Sequence, residues 1–230
     1  MSAHAHLPRR WHGPDGPTPL LEAMVDVLAT PPCPADPTGP LLFATIGTAD
    51  VPAYLLTAKS AARALGRGRF ALLDDGTLTG EDRGLLAHHC GDPQIMLGRA
   101  DNAPFPSIRA WQGLTALLGR HETSYRILLD ISRVTLDAPA EVGDALGRNR
   151  GFRGPGTAGL IGIPAMGGNL NDAALMLPRI PADIHKQPEG ARAMAAMLVE
   201  HGTGATLLEA PLGEEMTEET AREAISVLLA

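Results

Sequence analysis

Phe70-Ala-Leu-Leu-Asp-Asp-Gly-Thr-Leu-Thr79 and, further along, Tyr125-Arg-Ile-Leu-Leu-Asp-Ile-Ser-Arg133 are the stretches on which the reading of this chain turns. Each is a short apolar run that stops at an aspartate. A run of this length bounded by turn residues reads as a buried strand. Open α/β sheets bind ligands in the crevice outside the carboxyl ends of their strands, so Asp74, Asp75 and Asp130 stand where a ligand would. The plainer alternative is turn chemistry, since Asp and Gly favour tight turns and an Asp at a strand end caps the next one.

The surrounding pattern predicts more strands and helices in alternation. Leu41–Ile46 reads as a strand, Val51–Leu65 as a helix and Arg69–Leu73 as a second strand. Thr79-Gly-Glu-Asp82 has the shape of a capping box and opens a helix to about His89. Gln94–Leu97 is a third strand, Ser107 caps a helix to about Leu118, Tyr125–Leu129 is a fourth strand and Ala140–Leu146 a short helix. This order predicts an α/β protein with a mostly parallel sheet flanked by helices.

Outside that block the character changes. Residues 1–17 read as a disordered or loosely docked arm. Thr18-Pro19 opens a helix. Pro31–Pro40 holds five prolines in ten residues and reads as an extended linker. Asn149–Gly168 holds seven glycines and two prolines, with a possible strand at Leu160–Ile163. Glu189–His201 and Glu218–Leu229 are predicted helices, the second capped by Thr217, with Thr206–Leu208 a possible strand. The expected organisation is an arm, helix and linker (1–40), an α/β ligand-binding domain (41–150) and a C-terminal segment packed on the same domain (151–230).

Composition narrows the function. Hydrophobic residues make up 44% of 230 residues, enough for a core, and aromatics only 3%, so aliphatic residues must build it. The net charge of -7 argues against a nucleic-acid binder. Two cysteines, Cys33 and Cys90, show neither zinc spacing nor a disulfide framework, so a reducing cytoplasm is the expected compartment. No stretch reads as a signal peptide or a membrane span.

In series, Leu41–Ile46, the Asp74-Asp75-Gly76-Thr77-Leu78 strand end, and Asp130-Ile131-Ser132 with its Val134-Thr135-Leu136 extension resemble the donor-binding half of a GT-A-type glycosyltransferase. The similarity is to family 8 and its bacterial relatives, over roughly residues 40–150. The resemblance implies a GT-A-like fold, a nucleotide-sugar donor and an acceptor of unknown identity. It implies that Thr45, Asp74, Asp75, Asp130, Ser132 and Arg133 lie against the nucleotide-sugar. Family members carry an Asp-x-Asp motif whose carboxylates reach ribose and a divalent cation, Mn²⁺ or Mg²⁺, that neutralises the diphosphate.

Here the second carboxylate is Ser132, a poor metal anchor, and Arg133 follows it. Three outcomes stay open. The protein is metal-independent, with Arg133 offsetting diphosphate charge; or Asp130 recruits another ligand such as Asp183 or His185; or the chain is a non-catalytic binding protein on the same scaffold. Other motifs read as structure. His88-His89-Cys90 sits at a helix end, where His favours the dipole and neighbours point apart. Gly47-Thr-Ala-Asp50 is no phosphate loop, and Gly151–Gly156 reads as a loop. Met166–Asn171 reads as a turn or an acceptor-side loop. Helix 189–201 and the C-terminal helix are candidates for a homodimer contact, with core burial the competing explanation.

Overall fold

The computed structural model describes residues 7–97, 124–154, 161–165, 188–210 and 212–230, with residues 188–195 as backbone only. Its strands are β1 (Leu41–Ile46), β2 (Arg69–Asp74), β3 (Gln94–Leu97), β4 (Arg126–Leu128), β5 (Arg133–Val134), β6 (Phe152–Arg153), β7 (Ile161–Ile163), β8 (Leu208–Glu209) and β9 (Glu214–Glu215). The α-helices are α1 (Pro19–Val25), α2 (Val51–Ala64), α3 (Gly80–Cys90), α4 (Ala140–Gly147), α5 (Pro188–Thr203) and α6 (Glu218–Leu229).

β1 organises the sheet. The strand order is β3-β2-β1-β4-β7-β6-β8, and β5 pairs separately with β9. β1, β2, β3 and β4 are parallel, β7 opposes both β4 and β6, and β6 runs parallel to β8. The sheet is therefore mostly parallel, as the alternation of strands and helices predicted. Strands covered on both faces need continuous apolar sequence. Leu42, Ala44 and Ile46 of β1 join one core with Leu72, Ile127, Leu129 and the helices. The alternate residues Phe43, Ala71 and Leu73 are buried on the other face. α2 is enclosed almost all round: Val51, Pro52 and every residue from Tyr54 to Ala62 are buried.

The C-terminal segment contributes β6, β7 and β8 to the same sheet. β6 is a strand inside the Gly-rich stretch read as a loop. Phe152 stacks on Tyr125 with ring centroids 6.3 Å apart, and the Tyr125 hydroxyl donates to the Arg150 carbonyl at 2.6 Å. The room for both rings is Gly162 of β7, where a Cβ would collide with the Phe152 ring and the Tyr125 hydroxyl. Glycine in this stretch thus marks close packing between strands. The expected helix at 107–118 and the turn or loop at 166–171 lie outside the described residues.

The N-terminal stretch departs from the sequence reading. Arg9–Trp11 forms a short 3₁₀ turn, Trp11 is buried, and its indole N–H donates to Asp82 at 3.3 Å. Arg10 adds a charge-assisted bond from Nε to the same oxygen at 3.0 Å. The other Asp82 oxygen accepts from Thr48 Oγ1 at 2.8 Å, Thr79 Oγ1 at 2.7 Å and the Thr79 amide at 3.0 Å. The capping box thus forms as predicted, and its acid is also the anchor for the arm and for the turn after β1. Burial alone would raise the Asp82 pKa. The hydrogen bonds from Thr79, Thr48 and Arg10 outweigh it and hold the carboxyl below its ordinary value.

Asp82→Ala would leave buried donors on three segments without an acceptor. A loss of about 3 kcal/mol in urea unfolding is expected, against about 1 kcal/mol for Thr79→Ala, which removes one cap.

Candidate functional site at the carboxyl ends of the first strands

The crevice follows from the strand order. From β1 the chain passes through α2 to β2 on one side, and β4 lies on the other side of β1. The topological switch point therefore falls between β1 and β4, where α/β sheets take their ligands. β1 and β2 stay in register to their ends, Thr45 opposite Leu73 and Ile46 opposite Asp74. On the other side Phe43 pairs with Leu128, and the Leu129 amide donates to the Phe43 carbonyl at 2.7 Å. Continued by two residues, this register sets Asp130 beside Thr45.

Strand parity then divides the nominated residues. Ile46, Leu72 and Leu129 face the helices, so Asp74 does too, while Thr45 and Asp130 face the opposite way. Asp74 is buried and fully engaged. One oxygen accepts from the Gly76 and Leu78 amides at 2.8 and 3.2 Å, and the other is paired with Arg83 of α3. Its carboxylate shapes the loop after β2.

Asp75 is half-buried. Its Oδ1 accepts from the Thr77 amide and hydroxyl at 3.1 and 2.6 Å. The carboxylate lies over Gly47, where a Cβ would come 2.5 to 2.8 Å from both Asp75 oxygens and Thr77 Oγ1. Gly47 has ordinary extended φ, so the reason for glycine here is close approach. In the turn after β1 the Gly47 amide donates to Asp50 at 2.8 Å and the Thr48 amide to Thr77 Oγ1 at 2.9 Å. Thr45, Asp75 and Asp130 therefore share one end and one face. Asp75 and Asp130 follow strands on either side of β1, roughly 10 Å apart at the usual strand spacing. The Thr45 hydroxyl is buried with no hydrogen-bond partner among the described residues.

Asp130 is buried. Its Oδ1 accepts from the Ser132 amide at 3.1 Å and the Ser132 hydroxyl at 2.7 Å. Where a metal-binding motif would present a second carboxylate, Ser132 folds back onto the first. Arg133 enters β5, its backbone carbonyl accepting from Thr57 of α2 at 2.7 Å. Its Nη1 donates to the Gly213 carbonyl at 3.0 Å. The described residues contain no group of three His, Cys, Asp or Glu able to hold a metal. Asp183 and His185 lie outside the described residues.

Among the described residues, His88, His89 and Cys90 belong to no group of three able to hold a metal. His89 instead belongs to a buried polar cluster that the sequence reading missed. Lys59 of α2 is buried. Its ammonium donates to Thr30 Oγ1 and lies 3.3 Å from His89 Nδ1. The signal was a lysine amid Thr57, Ser60 and alanines, on a helix buried from Tyr54 to Ala62. Burial, then the charges of Lys59 and His88, pushes His89 down to about 4, so it is neutral and Nδ1 is an acceptor. Burial also lowers the Lys59 pKa.

No protein-family model matches the sequence, and no curated protein matches it. Among solved structures, the chain resembles two of LgtC. One is an active-site mutant, at 18% identity over 82% of this chain and 69% of that one, with a TM-score of 0.38. The other is the galactosyltransferase with donor and acceptor sugar analogs, at 18% identity over 82% and 70%, with a TM-score of 0.39.

Gly47→Ala should lower stability by about 1–3 kcal/mol, because the added methyl displaces Asp75 and Thr77; chemical denaturation measures it. His89 also makes stability pH-dependent. Its folded pKa lies below its unfolded value, so the contribution is complete above pH 6.5 and lost as pH falls toward about 4. A loss on the order of 2–3 kcal/mol across that window is expected, and His89→Gln should flatten it in thermal scans.

Proposed function

We propose that the crevice at the carboxyl ends of β1, β2 and β4 binds a nucleotide-sugar, and that the chain is a glycosyltransferase-like protein transferring the sugar to an acceptor. The observation that carries the proposal is the convergence of Thr45, Asp75 and Asp130 on one end and one face of the sheet, beside the switch point. The order of strand ends in the sequence supports the same reading.

The chemistry assigns roles. Two carboxylates repel a diphosphate unless a cation intervenes, so Asp75 and Asp130 accept hydrogen bonds from ribose or sugar hydroxyls. The Thr45 hydroxyl is the third polar contact. Asp74 acts indirectly, holding the loop that presents Asp75. Donor binding is metal-independent in this reading. Arg133, with one of its five N–H donors given to Gly213, supplies the positive charge that offsets the departing diphosphate.

A second reading is favoured by one observation: Ser132 and Arg133 both make bonds that hold the chain in place. It is a non-catalytic protein that binds the nucleotide-sugar without turnover.

Calorimetry with uridine and guanosine diphosphate sugars, with and without Mn²⁺, tests the binding proposal. Binding of one donor without Mn²⁺ is expected, weakened about tenfold or more by Asp130→Ala, a loss of about 1.4 kcal/mol. No binding of any donor by the folded protein would overturn it. Release of free sugar or nucleoside diphosphate from the bound donor separates the enzyme from the non-catalytic reading.

A further inference from the structure

The Pro-rich segment before β1 is held against the end of α3. The Cys33 amide donates to the His89 carbonyl at 2.8 Å, and the Asp36 amide to the Gly68 carbonyl at 2.8 Å. Gly91 ends α3 in the left-handed conformation at φ +62°, and a Cβ there would come 2.8 Å from the Ala35 amide nitrogen. Residues 33–35 and 89–91 therefore run in contact. The hydrogen bond from Cys33 to His89 sets an upper limit on the spacing of the two cysteines. Adding one N–Cα bond and the span from a carbonyl oxygen to the next Cα gives a Cα–Cα separation of at most about 7 Å. Disulfides use about 4.4–6.8 Å.

We propose that Cys33 and Cys90 are a disulfide pair, joined when the folded protein meets a small disulfide oxidant, and that the bond staples the Pro-rich segment to α3. The two thiols and the Lys59 ammonium lie within electrostatic range of one another. Cys33 is half-buried and Cys90 wholly buried, so Cys33 reacts first. As the thiolate it attacks one sulfur of the oxidant, forming a mixed disulfide and releasing one thiol. The Cys90 thiolate then displaces the second thiol from the Cys33 sulfur. The protein loses two electrons and two protons, and the oxidant's S–S bond becomes two thiols.

Lys59 favours the thiolate at either sulfur, but burial outweighs it, raising Cys33 and pushing Cys90 up to about 12. The pairing rests on proximity and is slow. Closing the loop from 33 to 90 restricts the unfolded chain.

The test incubates the full-length native protein with oxidised glutathione, quenches with an alkylating agent and maps peptides. The expected result is a monomer with a linked Cys33–Cys90 peptide and no alkylated cysteine. Its melting temperature should exceed that of the reduced form by roughly 5 °C or more, a rise that Cys33→Ser abolishes. Cys33 is not fully buried, so that variant should fold, and circular dichroism of its reduced form checks this. Two alkylatable thiols after prolonged oxidation, a stable mixed disulfide at Cys33, a bond between chains, or pairing only in denaturant would each overturn the proposal.

Discussion

Asp82 is the interaction on which the described fold most depends. One carboxylate, wholly buried, accepts from the arm through Arg10 and Trp11, from the turn after β1 through Thr48, and from the start of α3 through Thr79. A buried charge persists only when its hydrogen bonds replace the water it has lost, and here they come from three separate segments. The turn that Thr48 belongs to carries Gly47, and the loop that Thr79 follows carries Asp75. The acid that caps α3 thus also sets the spacing between the carboxyl ends of β1 and β2.

That spacing determines the crevice. Asp74 and Asp75 are adjacent in sequence and opposite in role, because a strand sends alternate residues to opposite faces. Asp74 turns toward α3 and is neutralised by Arg83. Asp75 turns over Gly47 and joins the side on which Thr45 and Asp130 lie. A motif with two acids contributes one carboxylate to the candidate site and one to its support. The same holds after β4, where Asp130 faces the crevice side and Ser132 holds it in place.

The alternation from Leu41 to Leu97 and from Arg126 to Gly147 was legible because buried parallel strands and capped helices leave strong local signals. The capping box at Thr79 and Asp82, Pro19 at a helix start and Thr217 at the last cap all lie where the sequence set them. What was not legible is long-range. Nothing near Arg10 or Trp11 announces a partner seventy residues away. Strand β6 was hidden because the flanking Gly151 and Gly154 read as loop, and its packing depends on Gly162 of β7, which admits the Phe152 and Tyr125 side chains. Lys59 was overlooked because a single lysine on a helix ordinarily marks the wet side, and α2 is buried from Tyr54 to Ala62. In the candidate site, the aspartates were visible as strand ends, but which of them turns toward the crevice follows only from register.

The central claim is that a nucleotide-sugar occupies the end of the sheet between β2 and β4. An amide NMR titration of the isotopically labelled protein with a uridine diphosphate sugar tests it most directly. The account predicts saturable shifts grouped at Thr45, Gly47, Asp75 and Asp130 to Ser132. Shifts confined instead to the cleft residues Leu136, Asp137, Ala138 and Glu223 would contradict it, as would none with uridine or guanosine donors.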